Sequence, residues 1–213
     1  MNRKIFSIIV STALFAAVFT SCSKDNDGYS SPTPFSGALS GVIEGVCASW
    51  DFVGISFGEG DIVETTPIID GKFTFSSLPT PKPEDLAPFI DSEVPIDIQI
   101  SDRNAKICSM SLIAFKGEVG ASFEARSIVQ GTYVFAPISV NIVMYYYADK
   151  DLKVKGSWSG TTMGITVSSE ININLKRGWN TLQMNVSGSE ESRVTILKNG
   201  VPSSGTAWTG VII

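Results

Sequence analysis

Apolar and polar residues alternate over long stretches of this chain, a pattern typical of β-strands with one buried and one wet face. In the clearest stretch, 165–176, the odd-numbered positions are mostly apolar and the even-numbered positions are polar. Lys176-Arg177-Gly178 predicts a tight turn, and alternation resumes at 182–186, so a hairpin is expected there. Further strands are predicted at 39–47, 52–57, 71–75, 94–100, 107–115, 133–147, 152–158, 194–197 and 208–213.

Short strands separated by clusters of Gly, Asn, Asp and Ser indicate an all-β, antiparallel sandwich over residues 38–213. Only residues 83–90 favour a helix, because Pro83 suits a first helical position, and Pro88 limits the helix to one or two turns. Alternation weakens between residues 117 and 131, which predicts a boundary between two lobes.

The first 21 residues have the architecture of a secretory signal peptide. Two basic residues precede an uncharged apolar run over 5–19, which is marginal in length for a membrane span. Residues 19–22, Phe-Thr-Ser-Cys, resemble the bacterial lipobox, with Phe19 where Leu is commonest. This resemblance implies that Cys22 is acylated, becomes the N-terminus and anchors the protein to a membrane. The alternative is an ordinary signal peptide that a cysteine follows by chance.

The residues after Cys22 form a short acidic patch consisting of Ser23, Lys24, Asp25, Asn26 and Asp27. The patch resembles the export signal that sends lipoproteins of Bacteroidetes to the outer face of the outer membrane; the alternative is the start of a solvated linker. Residues 22–37 are rich in Ser, Pro, Gly and Asp, which predicts a flexible tether. A lipid-anchored, surface-exposed location on the outer membrane is therefore expected.

Composition excludes several kinds of chemistry. The chain has no histidine, so it cannot use a Ser/His/Asp or Cys/His nucleophile or a His-ligated metal. It has 16 basic and 21 acidic residues; loss of Arg3 and Lys4 with the leader would leave 14 and 21, a net charge of -7. No Lys/Arg cluster points to nucleic acid. No catalytic motif, metal site or cofactor is predicted, so the protein is expected to be non-enzymatic.

The chain after the leader also contains Cys47 and Cys108. An exported protein meets an oxidising compartment, so a disulfide between these two residues is one interpretation. Two small buried thiols in separate strands are the other.

Two local motifs resemble known families. Residues 41–45 read Gly-Val-Ile-Glu-Gly, and residues 70–75 read Asp-Gly-Lys-Phe-Thr-Phe ahead of Leu-Pro at 78–79. Over about residues 38–80 this pattern resembles transthyretin-like or carboxypeptidase-regulatory-like sandwiches. Residues 145–151 and 175–180 are similar to segments of small surface lipoproteins of gut Bacteroidetes. These resemblances imply surface display on an immunoglobulin-like or transthyretin-like sandwich, and they imply no catalytic residues.

Aromatic residues are the best candidates for ligand binding. Four tryptophans lie near predicted strand ends or turns, and neighbouring rings in the run 145–147 must face opposite sides of a strand. Sugar rings stack on exposed aromatic faces, so Trp158, Trp179 and Tyr146 are the candidate glycan-binding residues. The alternative is that these rings fill the core and close the sandwich ends.

Three functions follow, of which a binding module for a glycan or another surface protein is preferred. The first alternative is a pilus or adhesin subunit. A resemblance to that family implies cleavage after an arginine near the N-terminus, whereas the first arginine after the leader here is Arg103. The second is a carboxylate-based hydrolase, which needs two acids facing each other across a cleft. Acid pairs such as Glu84/Asp85 and Asp149/Asp151 fall in predicted turns and loops.

Overall fold

The computed structural model describes residues 35, 37–58, 61–89, 97–117, 124–135, 138–162, 164–189, 191–200 and 207–211. Within them the chain forms strands and two short 3₁₀-helices, Val46–Ser49 and Pro83–Asp85. The strands are β1 (Leu39–Glu44), β2 (Phe52–Phe57), β3 (Ile62–Pro67), β4 (Lys72–Phe75), β5 (Ala87–Pro88), β6 (Gln99–Ile100), β7 (Lys106–Lys116), β8 (Glu124–Phe135), β9 (Ile138–Ala148), β10 (Leu152–Thr162), β11 (Ile165–Leu175), β12 (Gly178–Gly188), β13 (Ser192–Asn199) and β14 (Ala207–Val211). The predicted all-β sandwich, with two sheets packed together, is confirmed.

Hydrogen-bonded neighbours follow the order β4-β1-β14-β8-β7-β9-β12-β13-β11-β10-β6. Strands β2 and β5 pair with the second edge of β7, and β3 pairs with β2. Most pairs are antiparallel, as predicted. Two described pairs, β1 with β14 and β11 with β13, are parallel, which local alternation could not reveal.

Strand β7 enters a gap between β8 and β9. The end of β8 pairs with the start of β9, from Gln130 opposite Val143 to Phe135 opposite Ile138. Beyond this ladder the two strands separate, and β7 pairs with β8 at 112–116 and with β9 at 107–109. The predicted single strand 133–147 is therefore wrong, since its first residues belong to β8 and the rest to β9.

Two hydrophobic cores lie on opposite faces of β7 and β9. The first core draws its buried side chains mainly from β1, β2, β4, β7, β9 and β14. The second core draws them from β9 to β13 and from four residues that precede β9 in the chain, namely Phe89, Ile98, Ala105 and Ile107. Neighbouring residues of one strand divide between the cores: Tyr145 belongs to the first and Tyr146 to the second. The run of tyrosines therefore presents rings to both faces, as the strand geometry predicted.

The lobe boundary predicted near residues 117–131 does not separate one core, formed by the residues before it, from another, formed by the residues after it. Residues 118–123 lie outside the described residues, and the rest of the segment is mainly β8, which pairs with β7 and β14. Val143 follows the segment in sequence but packs in the first core.

The turn at residues 69–72 has the geometry expected from its Asp-Gly pair. Asp70 and Gly71 both have positive φ, 50° and 71°, and Ile69 and Lys72 exchange two backbone hydrogen bonds of 2.9 Å. This is a two-residue hairpin turn with left-handed central residues, the conformation that Asp-Gly favours.

The predicted helix at 83–90 is a single 3₁₀ turn, and the predicted strand 39–47 ends at Glu44.

The predicted hairpin after Leu175 is wrong in its pairing. The chain bends at Arg177 instead of forming a tight turn, and among the described residues β11 and β12 do not pair with each other, because β13 lies between them. Two buried asparagines satisfy the backbone where the strands diverge. Asn180 Oδ1 accepts from the Lys176 N–H at 2.8 Å, and Asn199 Oδ1 accepts from the Asn174 N–H at 2.6 Å. We call this region the fork.

Candidate functional site

The structure buries most of the aromatic residues considered as ligand contacts. Tyr146 is only 2% exposed and packs in the second core, and burial raises its pKa. Its ring therefore cannot stack on a ligand, which corrects its place among the candidates. Trp50 and Trp208 are also buried, in the first core, where the Trp208 ring stacks on that of Tyr145 with centroids 6.2 Å apart.

Trp179 is half-buried against the first core. Its ring lies 6.0 Å from that of Phe57 and 5.6 Å from that of Tyr147, and its indole N–H donates to the Pro79 carbonyl oxygen at 3.2 Å. These contacts tie the Leu78-Pro79 segment to the sheet. The described contacts of Trp179 are thus structural.

Trp158 is half-buried against the second core, so it lies on the opposite face of the sheet from Trp179. The structure does not bring the two predicted tryptophans together. In the ladder, Trp158 of β10 stands opposite Ser169 of β11, which in turn stands beside Thr195 of β13. Val186 of β12 continues this row.

Polar residues accompany Trp158 on this face. Ser169 is 3% exposed, and its Oγ has no hydrogen-bond partner in the structure. Arg193 lies two residues before Thr195 on β13, hence on the same face, and its Nε is likewise buried without a partner. Leaving a buried polar group unpaired costs about 1–3 kcal/mol. A bound water or ligand that supplies the missing hydrogen bond is an established explanation for such unpaired groups.

We call Trp158, Ser169, Thr195 and Arg193 the Trp158 cluster. It combines an aromatic ring, two hydroxyls and a guanidinium on one end of the second-core face. An aromatic face with hydroxyl and guanidinium donors suits a polar ligand that also has an apolar side. The sequence prediction included only Trp158. The sequence could have indicated Ser169 as a candidate, because it is the one polar residue on the apolar side of the 165–175 alternation.

Cys47 and Cys108 both lie buried in the first core and are not joined by a disulfide. The other interpretation, two small buried thiols in separate strands, agrees with the burial of both thiols, but Cys47 lies in the first 3₁₀-helix rather than in a strand. Burial raises the pKa of the Cys108 thiol to about 12, and the nearby Asp85 carboxylate contributes in the same direction. A thiol with such a high pKa is a weak nucleophile at neutral pH.

The acid pairs considered for hydrolysis serve local structure. Asp151 accepts from the Lys176 ammonium at 2.6 Å and from the Arg177 N–H at 3.0 Å, which together hold its pKa below the usual range. Asp149 accepts from the Lys106 N–H at 2.9 Å, and Asp85 accepts from the Lys82 N–H at 2.8 Å. In the part of the chain that the structure describes, no group of three or more His, Cys, Asp or Glu residues could hold a metal ion.

The predicted targeting features fall outside the described residues. These are the leader, the lipidation residue Cys22 and the acidic patch with Ser23, Lys24, Asp25 and Asp27. Near the end of the predicted tether, the Phe35 ring packs edge-on against Tyr145 with centroids 5.3 Å apart. Among the helices in the described ranges, none is long and apolar enough to cross a membrane.

Comparison with protein-family models, with curated proteins and with solved structures found no match for this chain. The fold itself therefore defines the class of this protein, which is an all-β sandwich with two hydrophobic cores.

Proposed function

We propose that this protein is a non-enzymatic lipoprotein, anchored at the outer membrane through Cys22 and exposed on the cell surface, that binds a glycan at the Trp158 cluster. The leader, the lipobox resemblance and the acidic patch support the location. The observation that carries the binding function is the half-buried Trp158 ring beside the unpartnered hydroxyl of Ser169.

The chemistry of a saccharide matches this arrangement. One face of a pyranose ring consists of C–H groups, which pack on an aromatic face, while its edge carries hydroxyls that both donate and accept hydrogen bonds. Ser169 Oγ can donate to one such hydroxyl and accept from another. Because Ser169 Oγ is buried in the ligand-free structure, a bound sugar would supply its missing partner by displacing the side chains that cover it, and the sugar would also cover the exposed part of Trp158.

A glycan array tests this function with the full-length chain purified in mild detergent. We expect binding to at least one glycan, lost in Trp158→Ala and weakened less in Trp158→Phe, which keeps an aromatic ring. Ser157→Ala is the matched control, since Ser157 is the exposed neighbour on the opposite face of β10. Trp179→Ala tests the other predicted tryptophan. Binding that survives Trp158→Ala would overturn this site, and the absence of any bound glycan would overturn the function.

The proposed anchor has a separate test. In a bacterial host that processes lipoproteins, the protein should gain the mass of diacylglycerol at Cys22 and should partition into detergent. Cys22→Ser should abolish the added mass of diacylglycerol, whereas Cys47→Ser should keep it. The same mass gain in the Cys22→Ser variant would refute lipidation at this residue.

A further inference from the structure

Arg193 gives the Trp158 cluster a charged group with an unsatisfied donor. The residue sits on β13 between Val167 of β11 and Gly188 of β12 in the ladder, and neither of these neighbours carries a carboxylate. Its Nε is buried and has no hydrogen-bond partner. The two ion pairs found among the described residues, Lys150–Asp102 and Lys176–Asp151, lie elsewhere.

A guanidinium offers a planar fork of N–H donors that matches carboxylate and sulfate oxygens in pairs. The Nε–H is one of the donors used in such a paired contact. A guanidinium whose Nε lacks a partner therefore favours an anionic group over a neutral hydroxyl. The chain as a whole carries a net charge of -5, so the attraction is local to this residue.

The spacing of the cluster fits one substituted sugar unit. Trp158 and Thr195 lie on strands separated by β11, which places their backbones about 10 Å apart at the usual strand spacing. Arg193 lies two residues further along β13, about 7 Å beyond Thr195. Its long side chain can reach back toward the centre of the row, where Ser169 lies. Val167 is the neighbour of Arg193 on the β11 side, and Ser169 lies two residues further along β11 on the same face.

From this geometry we propose that the cluster binds an acidic saccharide, with the sugar ring on Trp158, a ring hydroxyl at Ser169 and a carboxylate or sulfate group on the Arg193 guanidinium. This inference rests on the proposed function, because it specifies the ligand of the same site.

The test compares charged and neutral forms of one glycan. Titration calorimetry on the full-length chain in mild detergent uses oligogalacturonate, its methyl-esterified form and a sulfated chondroitin oligosaccharide. We expect at least one of the two anionic ligands to bind at least about tenfold more tightly than the methyl ester, which corresponds to about 1.4 kcal/mol. Raising the salt concentration should weaken the preferred anionic ligand more than the neutral one.

Variants assign the preference to Arg193. Arg193→Gln should remove the tenfold preference and leave the weaker neutral binding, and Arg193→Lys should restore it only in part. Lys198→Gln is the matched control, because Lys198 is an exposed cation on the opposite face of the same strand. Trp158→Ala should weaken charged and neutral ligands alike. Thermal unfolding of each variant checks that it is folded.

The outcomes separate this inference from the function on which it rests. Neutral glycans bound through Trp158 without any preference for charge would overturn the acidic ligand and leave glycan binding intact. Equal losses in Arg193→Gln and Lys198→Gln would show a general charge effect and would also overturn the inference. Failure of every saccharide to bind would overturn both proposals.

Discussion

The fork between β11 and β12 depends on the amide of Asn180, and its removal has a calculable cost. The side chain is 1% exposed. Its Nδ2 donates to the carbonyl oxygens of Lys176 at 2.7 Å and Gly178 at 2.8 Å, while Oδ1 accepts from the Lys176 N–H at 2.8 Å. At about 1 kcal/mol for each of these bonds, Asn180→Ala should lower the free energy of unfolding by about 3 kcal/mol.

Urea unfolding and a thermal scan measure this loss. For a chain of this length, about 3 kcal/mol corresponds to a fall in Tm of about 6–12 °C. Asn104→Ala is the control, since Asn104 is exposed and its substitution should change stability by less than about 0.5 kcal/mol. A loss below about 1 kcal/mol for Asn180→Ala would refute the argument, because the β13 ladders alone would then hold the fork.

A second variant tests which atoms of the amide matter. Asn180→Asp keeps the acceptor for the Lys176 N–H but turns a second oxygen toward two carbonyl oxygens and buries a charge. Burial and these carbonyls should raise the pKa of the new carboxyl in the folded state. Its stability is then highest below the unfolded pKa and is lost as the pH rises through the folded value. An Asn180→Asp protein as stable at pH 7 as at pH 4 would contradict the assigned hydrogen bonds.

Four further results are expected. Gly41→Ala should destabilise by about 1–3 kcal/mol and alter tryptophan fluorescence, because a Cβ there would overlap the buried Trp208 indole. Cys108 should resist iodoacetamide at pH 8 until urea unfolds the chain, since burial raises its pKa to about 12. Tyr145, with its pKa also raised by burial to about 12, should ionise well above pH 10 in absorbance titrations, and the stability it contributes should be lost as the pH rises toward 12. Ser169→Ala should raise the stability of the ligand-free protein by about 1 kcal/mol by removing an unpaired buried hydroxyl, and a loss of stability would indicate an internal partner.

Alternation predicted the individual strands well because it reports which side of a strand is buried. Strand β11 begins at Ile165 and covers the alternating stretch as far as Leu175. Strand β2 begins and ends at the predicted residues, 52 and 57. The pattern also predicted that the run 145–147 faces both sides of a strand. Each of these features depends on residues close in sequence and on the two-residue period of a strand.

Pairing between strands could not be predicted in the same way. The tight turn predicted after Leu175 favours pairing of β11 with β12, yet β13 separates them, and β7 likewise separates parts of β8 and β9. In both cases a third strand, next in the chain to one member of the pair, takes the hydrogen-bonding edge between them. The signal for such insertion lies in buried polar residues such as Asn180 and Asn199, which replace the missing ladder bonds.

Similar reasoning applies to the Trp158 cluster. A strand that is apolar on one face has no stabilising use for a buried hydroxyl, so Ser169 interrupts the pattern at a cost. Arg193 lies on the same face of the neighbouring strand β13, and its Nε is likewise buried without a partner. Two unpaired donors that arise independently and converge on one place are better explained by a shared partner than by two separate packing defects. Local departures from an otherwise consistent pattern are expected where function competes with stability. The position of Ser169 and Arg193 on the same face as Trp158 therefore favours a ligand at this end of the second core over a purely structural role for the ring.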